Sequence, residues 1–380
     1  HCRLVNVDTQ FEDGSFEEEM NCLPIINGIE VDDLIPLPSS MDFPESSYVL
    51  LTPAIFLDGA ILYTLDTQAV ETVPVKVREL NQDKQRQLGI ESMSVAIIRI
   101  TVPDSTPVIS HSEIQEMFDP DNSNLVSQFD TCSAGQQQFY LGSIIDVYVD
   151  EPLLPVATAR GRIMAAAQDQ LHKDQNVVHD LGEIADRLFF CLPPGTGTWV
   201  AAAGMNHWRA SFNGRWCLSL SATMHEVGHT LGLSHANKDG IKYNDRTGYM
   251  SRSYMSKNWP LRCFTARDHD HLGWFSDKTY IWNGETVNDM NLVSFVDYQW
   301  THHDVILVMN NVYIQYNRAK GYNAHTGEAH NQVTLTAPLG AAGNNLIAAL
   351  DKGDSYNQDG VKILVCDMVT HVNVDIAIVS

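Results

Sequence analysis

Five spaced residues carry the clearest chemical signal in the sequence. His225, Glu226, His229, Gly232 and His235 form the pattern H-E-x-x-H-x-x-G-x-x-H. On a helix, residues four positions apart lie on one face, so His225 and His229 can bind the same metal ion. Glycine adopts a left-handed backbone at little cost, so Gly232 can end the helix and turn the chain towards a third ligand, His235.

This pattern predicts a zinc site with an open coordination position. Three neutral imidazoles leave the charge of Zn²⁺ uncompensated, and a water bound there ionises near pH 7. Glu226 can face that water and act as a general base. A histidine-rich amphipathic helix is the simpler alternative, but it would explain a pair of histidines and not five specified positions.

Residues after the motif can complete the site. The imidazoles need a surrounding shell that fixes their orientation, and a methionine in a tight turn after Gly248 would fill the space beneath them. We choose Met250 for this position, with Met255 as the competitor. Tyr254 is a candidate for stabilising the oxyanion of a tetrahedral intermediate, and a packed structural tyrosine is the alternative.

The composition indicates a folded, acidic protein. The chain has 380 residues, of which 44% are hydrophobic, and a net charge of −23. Such a charge repels nucleic acid and anionic membrane surfaces. No apolar run reaches the roughly 18 residues that a membrane helix needs. We therefore expect no nucleic-acid partner and no membrane span, and the sequence does not indicate an oligomeric state.

The seven cysteines favour an oxidising compartment. Cys2 and Cys22 could close a local loop. Four others surround the zinc motif and could form two bridges, in a pairing that the sequence does not assign: Cys132, Cys191, Cys217 and Cys263. Cys366 would then be the odd residue.

Apolar runs along the first half of the chain predict a mixture of strands and helices. Residues 1 to 45 are acidic and turn-rich, which favours a solvated surface, whereas short apolar runs between 48 and 77 predict a small β unit. The polar stretch from 78 to 90 is typical of a linker. Further runs predict a strand buried on both faces at 95–100, a helix at 160–172, and strands at 188–192 and 199–203.

Three further predictions concern the strand at 199–203 and the segments after it. The strand at 199–203 is expected to lie nearest the cleft, where a substrate peptide could add a strand to the sheet. From Trp282 onward, strands at sandwich-like spacing predict an all-β domain. The acidic segment 351–359 could hold calcium, although it lacks the full D-x-[DN]-x-[DN]-G pattern of a calcium loop.

The zinc motif and its downstream methionine belong to a set of recognisable segments, at 128–135, 191–195, 216–217, 225–235, 248–254, 263–266 and 272–275. With these segments the chain resembles the metzincin metallopeptidases, and more narrowly the gametolysin-like peptidases of algae and diatoms. Thr230 and Ser251 depart from the Asn and Gly that are usual in the family.

This resemblance implies a secreted zinc endopeptidase that acts on extracellular matrix or cell-wall proteins and is made with an N-terminal propeptide. It places the zinc ligands at His225, His229 and His235, the catalytic glutamate at Glu226 and the Met-turn at Met250. The expected fold is α+β. A metzincin-like catalytic domain at 91–280, with a twisted mixed sheet and an active-site helix, would lie between a small β-rich propeptide-like region at 1–90 and a sandwich-like β domain at 281–380.

Two other functions are alternatives. A cell-surface binding module with a vestigial peptidase domain would be favoured by a missing ligand or glutamate, and all of them are present. In a latent zymogen the N-terminal region would block the cleft, and a thiolate from Cys2 or Cys22 could occupy the open zinc position. No P-R-C-G-x-P-D-like segment is present, and the two cysteines could instead bond to each other.

Overall fold

A computed structural model describes most of the chain after residue 90 and parts of the region before it. The described residues are 2–26, 29–30, 35–36, 48–49, 54–57, 60–63, 91–177, 180–252, 259–285, 289–340, 343–358, 360–371 and 374–380. The last part of the predicted β unit, residues 64–77, and the predicted linker at 78–90 lie outside them. Helices and several sheets occur together, so the α+β class is confirmed.

The chain forms two compact units. Unit 1 comprises His1–Leu88, Ser94–Ile109 and Leu141–Cys217, and unit 2 comprises Gly89–Met93, Ser110–Tyr140 and Leu218–Ser380. The helices within the described residues are α1 (His111–Met117), α2 (Leu125–Cys132), α3 (Val156–Asp174), α4 (Leu220–Thr230) and α5 (Ala266–His271). Each of them is too short or too polar to cross a bilayer.

The strands of the first half of the chain form one large sheet and one small hairpin. The N-terminal strands are β1 (Cys2–Phe11), β2 (Phe16–Ile26), β3 (Ile29–Glu30), β4 (Ile35–Pro36), β5 (Tyr48–Val49), β6 (Ala54–Leu57) and β7 (Ala60–Tyr63). They are followed by β8 (Glu91–Thr101), β9 (Gln137–Tyr148), β10 (Arg187–Leu192), β11 (Trp199–Gly204) and β12 (Arg209–Asn213). The large sheet has the order β3-β2-β1-β11-β12-β10-β8-β9, with β4 against β2 and β5 against β1, while β6 and β7 form the separate hairpin.

The core of unit 1 lies between this sheet and helix α3. Val95, Ile97 and Ile98 on β8 are at most 1% exposed, so the predicted doubly buried strand is confirmed. Helix α3 covers the predicted helical segment and buries one stripe of side chains. These are Ala159, Ile163, Ala167 and Leu171, which pack in the same cluster as Ile98 and Phe190.

The N-terminal residues form part of the large sheet, so the solvated surface expected for residues 1–45 is wrong for strands β1 and β2. These two strands form an antiparallel hairpin, and β1 also pairs with β11. Val5 and Val7 alternate along β1 and are buried with Ala202, which gives the strand an apolar face. The acidic residues Glu17 to Glu19 are exposed on β2, so only this part of the segment matches the expectation.

The described residues of unit 2 form two β-sheets. Its strands are β13 (Ala236–Lys238), β14 (Thr279–Ile281), β15 (Met290–Val293), β16 (Ile306–Met309), β17 (Val312–Asn317), β18 (Gln332–Leu339), β19 (Gly343–Leu350), β20 (Ser355–Gln358), β21 (Val361–His371) and β22 (Val374–Val379). One sheet has the order β13-β19-β18-β17-β16-β14 and the other β15-β22-β21-β20. A single apolar cluster joins Ile314 and Leu335 of the first sheet to Val365 and Ala377 of the second.

Disulfides fix the connections of both units. Cys132 bonds to Cys263 within unit 2, and Cys191 bonds to Cys217 within unit 1. The expected two bridges around the motif are therefore confirmed, and Cys366 is a free cysteine. Cys22 is also disulfide-bonded.

A buried ion network ties the second sheet of unit 2 to the loop after β17. Asp297 and Asp375 are each 3% exposed. Lys320 Nζ lies 2.8 Å from Asp297 Oδ1 and 3.0 Å from Asp375 Oδ2, and Arg318 Nε lies 3.1 Å from Asp375 Oδ2. Burial raises the pKa of Asp375, but hydrogen bonds from Thr370, Lys320 and Arg318 outweigh it and hold this pKa below its usual value.

Replacing Lys320 with Met should lower the free energy of unfolding by about 1–3 kcal/mol, because it leaves buried carboxylates short of a partner. The same change at Lys352, which pairs with Asp367 at the surface, should have little effect. Urea unfolding at several pH values measures both. The stability that Asp375 contributes is present above its unfolded pKa and is lost as pH falls through its lower folded pKa. The deficit of the Lys320 variant should therefore shrink at acidic pH, and a deficit independent of pH would contradict the assignment.

Candidate metal and catalytic site

Helix α4 carries the first part of the motif and is buried along its whole length. Its first turn is capped by Ser219, whose side chain accepts from the Ala222 N–H. The helix ends at Thr230, and Gly232, which has φ +93°, follows the C-cap residue Leu231. The Leu233 N–H donates to the Gly228 carbonyl and the Gly232 N–H to that of His229, which is a Schellman termination. The predicted left-handed turn at Gly232 is confirmed.

This turn brings the three histidines together. Ring centroids lie 4.7 Å apart for His225 and His229, 4.7 Å for His229 and His235, and 5.6 Å for His225 and His235. The ligand nitrogens lie within 4.8 Å of one another, so the group could hold a metal ion. All three side chains are at most 5% exposed.

Backbone carbonyls orient two of the imidazoles. Nδ1 of His225 lies 2.7 Å from the Tyr249 carbonyl oxygen, and Nδ1 of His229 lies 2.8 Å from that of Leu233. A carbonyl oxygen can only accept, so each Nδ1 carries the proton and each Nε2 keeps its lone pair for a metal. This is the shell of hydrogen bonds that a metal-binding histidine needs.

The distance between two of the nitrogens is close to that expected for zinc. Nε2 of His229 and Nε2 of His235 lie 3.1 Å apart. Tetrahedral zinc with Zn–N bonds of about 2.0–2.1 Å places neighbouring nitrogens roughly 3.3–3.4 Å apart. This pair of imidazoles therefore has a spacing close to that expected of two zinc ligands, and the nitrogen atoms of all three histidines lie within 4.8 Å of one another.

Met250 packs beneath the helix, at the position where the sequence predicts it. It is fully buried, and a methyl group added to Gly228 would collide with its sulfur. Gly228 lies between the two helical histidines, so the absence of a side chain there lets Met250 reach the helix. The competitor Met255 lies outside the described residues.

The third histidine is tied to the C-terminal sheet. Strand β13 follows His235 directly and pairs in parallel with β19, with Ala236 opposite Asn344. The Asn344 N–H lies 3.4 Å from the His235 carbonyl oxygen, and Asn344 Nδ2 donates to Asp268 Oδ1 at 2.8 Å. Burial raises the pKa of Asp268 to about 7, against hydrogen bonds that lower it. The support for the site therefore extends into strands far along the chain.

Glu226 and Tyr254 complete the predicted residues. Glu226 is fully buried on α4 beside His225. Tyr254 lies outside the described residues, so the structure gives no position for it. The two departures from the family pattern make local hydrogen bonds: Thr230 Oγ1 donates to the Val227 carbonyl and Ser251 Oγ to that of Gly248.

The acidic segment 351–359 does not support the calcium expectation. The Asp351 N–H donates to Asp354 Oδ2, and Gln332 Nε2 donates to Asp351 Oδ2. No group of three candidate metal ligands is found in this segment, as far as its residues are described. These carboxylates act within a turn and between neighbouring strands.

Several supporting residues are missed by sequence reasoning. Tyr249 and Leu233 act through carbonyl oxygens, which every residue type has, so no sequence signal marks them. Tyr243, whose ring centroid lies 3.8 Å from that of His235, belongs to a stretch that reads only as a polar loop. The nearest signal is the Asp239-Gly240 dipeptide, which is typical of a tight turn that folds the chain back.

Comparison with protein families gives one match. The family model described as gametolysin peptidase M11 matches residues 93–333, which is more than half of the chain. A search of curated proteins gives no match. The matched range contains the three histidines, the glutamate and Met250.

Replacing Gly228 with Ala should displace Met250 and lower the free energy of unfolding by about 1–3 kcal/mol, as overpacking of a close-packed core does. Zinc content after purification should also fall, because the helix carries two of the three histidines. Gly161 is the matched control: it also lies inside a helix, α3, but has open space at its Cβ position. Its change to Ala should be neutral or stabilising. Equal losses of stability in the two variants would show that Met250 packing is not the cause.

Proposed function

Because the chain belongs to the gametolysin peptidase M11 family, we propose that it is a zinc endopeptidase with a metzincin-like catalytic domain. The observation that carries this proposal is the convergence of three buried imidazoles, two of them held by backbone carbonyls with Nε2 left for a metal. We retain 1–90 as a propeptide-like region, 91–280 as the catalytic domain and 281–380 as a β domain.

His225, His229 and His235 would hold the ion. When bound, zinc supplies a Lewis acid and lowers the pKa of a water to about 7. Residues of the chain position the ligands: carbonyl oxygens fix the tautomers of two histidines, and Met250 fills the space beneath the helix. The donor set of three neutral nitrogens is the one found in catalytic zinc sites that keep an open position.

Glu226 is the proposed general base. It takes a proton from the attacking water and returns it to the nitrogen of the leaving amine, so one carboxylate serves both halves of the hydrolysis. Its position directly after His225 on a fully buried helix supports this role, since burial excludes bulk water from the carboxylate. Tyr254 is the proposed donor to the developing oxyanion.

The substrates are proposed to be extracellular proteins, of the matrix or the cell wall. Disulfides such as Cys132–Cys263 and Cys191–Cys217 persist in oxidising compartments, which supports secretion. The net charge of −23 disfavours nucleic acid as a partner.

A change of Glu226 to Gln should lower casein hydrolysis by at least about a hundredfold, because the amide cannot accept the proton. Bound zinc should stay at the wild-type level, since the three histidines are unchanged. Glu285 is exposed, and its change to Gln should leave activity intact. Zinc analysis and casein assays on the same preparations test this role, and wild-type hydrolysis by the Glu226 variant would refute it.

Latency is a second candidate property, and the pairing of β1 with β11 favours it. The predicted substrate strand, 199–203, falls within β11, and its free edge is filled by β1 in an antiparallel register. Arg160 also connects the two strands: its Nη1 donates to Thr9 Oγ1 of β1 at 3.0 Å, and its guanidinium lies over the Trp199 ring of β11. We infer that β1 takes the place of a substrate strand. The thiolate alternative is not retained for Cys22, since that residue is disulfide-bonded.

Thr9→Val should raise the activity of the intact chain about fivefold. The lost hydrogen bond is worth about 1 kcal/mol, which shifts β1 towards its detached state. Ser15→Ala is the control, because the Ser15 hydroxyl bonds only within the exposed turn of the same hairpin, to Asp13. Limited trypsin digestion, followed by the same peptidase assay, should give a larger increase. An intact chain as active as the digested one would rule out latency through β1.

A further inference from the structure

The loop after the third histidine folds back on the site. It leaves β13, reverses at Asp239 and Gly240, which have φ +54° and +73°, and is closed by paired hydrogen bonds between Lys238 and Ile241. The Asp245 N–H then donates to the Ala236 carbonyl at 3.3 Å. The loop therefore starts and ends beside His235.

Tyr243 is the residue that this loop returns to the histidines. Its ring centroid lies 3.8 Å from that of His235, and its ring is nearly parallel to His225, at 6.5 Å and 22°. The side chain is 4% exposed. Aromatic pairs usually have centroids about 4.5–7 Å apart, so the contact with His235 is unusually close.

The backbone of Tyr243 is held in an uncommon conformation. Its φ is +60°, a region that bulky residues rarely adopt. Asn237 Oδ1 accepts from the Tyr243 N–H at 3.1 Å, and Asn237 itself is buried on β13, two residues after His235. Strained residues of this kind persist only where the surrounding structure fixes them, and they concentrate at functional sites.

We propose that Tyr243 is a positioning residue that sets the ring orientation of His235 for zinc binding. An imidazole binds through a lone pair in the plane of the ring, so rotation of the ring turns that lone pair away from the ion. Carbonyl oxygens fix His225 and His229 through Nδ1, and the aromatic face of Tyr243 restricts rotation of His235. This proposal rests on the proposed zinc function. The restriction of His235 is due to the ring of Tyr243 and not to its hydroxyl.

Two substitutions at Tyr243 separate the ring from the hydroxyl and from the backbone. Tyr243→Phe keeps the ring and should bind zinc within about twofold of wild type. Tyr243→Asn removes the ring but tolerates a left-handed backbone, since Asn is enriched there. It should weaken zinc binding by about 10–100-fold, as loss of a residue that orients a metal ligand does. Ile241→Ala, in the same loop at an exposed position, is the control and should match wild type.

The measurements are the zinc dissociation constant, by competition with a chelating dye, and the visible absorption spectrum of the Co²⁺-substituted full chain. Tyr243→Asn should alter the cobalt spectrum, and Tyr243→Phe should leave it unchanged. Wild-type affinity and spectrum in Tyr243→Asn would overturn the proposal. Equal losses in the Phe and Asn variants would also overturn it, because the hydroxyl would then be responsible.

A further variant covers the case in which Tyr243→Asn does not fold. Asn237→Ala leaves both rings in place but removes the hydrogen bond that holds the Tyr243 backbone, so it should weaken zinc binding in the same direction, and unchanged binding would count against the proposal. Zinc binding by the wild-type chain distinguishes failure of the proposed zinc function from failure of the proposed role of Tyr243. If it binds no zinc, the proposed function fails, and if it binds zinc as tightly as the Asn variant, only the role of Tyr243 fails.

Discussion

The contact between helix α4 and the turn at Tyr249 and Met250 is the constraint on which the metal site depends. The turn acts at three points. The Tyr249 carbonyl holds the first histidine, the Met250 carbonyl accepts from the Ala236 N–H at 2.8 Å, next to the third histidine, and the Met250 side chain fills the gap at Gly228. The turn is itself fixed, because the Tyr249 N–H donates to the Cys263 carbonyl and its hydroxyl to that of Pro260 at 2.7 Å. A small shift of this turn would therefore move two of the proposed ligands at once.

The C-terminal strands also help to hold the site in place, because they fix the backbone next to the third histidine. Strand β13 lies between the third histidine and the rest of unit 2, and its partner β19 is more than 100 residues away along the chain. Gly343 allows the close approach: a side chain there would meet the Leu339 carbonyl and come near that of His235. Asn344 then links β19 to Asp268 of α5. A motif of eleven residues thus relies on long-range pairing that fixes the backbone at its last histidine, the proposed third ligand.

The sequence predicts the parts of the site that depend on side-chain type and spacing. The histidine spacing, the glycine that ends the helix and the methionine beneath it each follow from local physical rules, and the structure has them where expected. The orienting carbonyls of Tyr249 and Leu233 cannot be found in this way, because they belong to the backbone. Strand β1 was not predicted for a different reason. The alternation of Val5 and Val7 indicates a strand with one apolar face, but the acidic residues that follow favoured a solvated surface. The pairing of β1 with β11, which is distant in sequence, places this segment in the sheet.

A site held this firmly also limits how its activity can be regulated. Two of the three imidazoles are held by backbone carbonyls, and the methionine packs against a helix without exposed residues, so a mechanism that moves these side chains would have to disrupt the core. Covering β11, the strand that we propose receives the substrate, requires no such disruption, because main-chain hydrogen bonds of a sheet edge can be exchanged between an internal strand and a peptide of similar conformation. The main-chain hydrogen bonds between β1 and β11 could be exchanged in this way, and Arg160 and Trp199 add side-chain contacts that a substrate would have to replace. We therefore place the proposed control of activity at the edge of β11, where β1 could be exchanged for a peptide without a change in the three histidines.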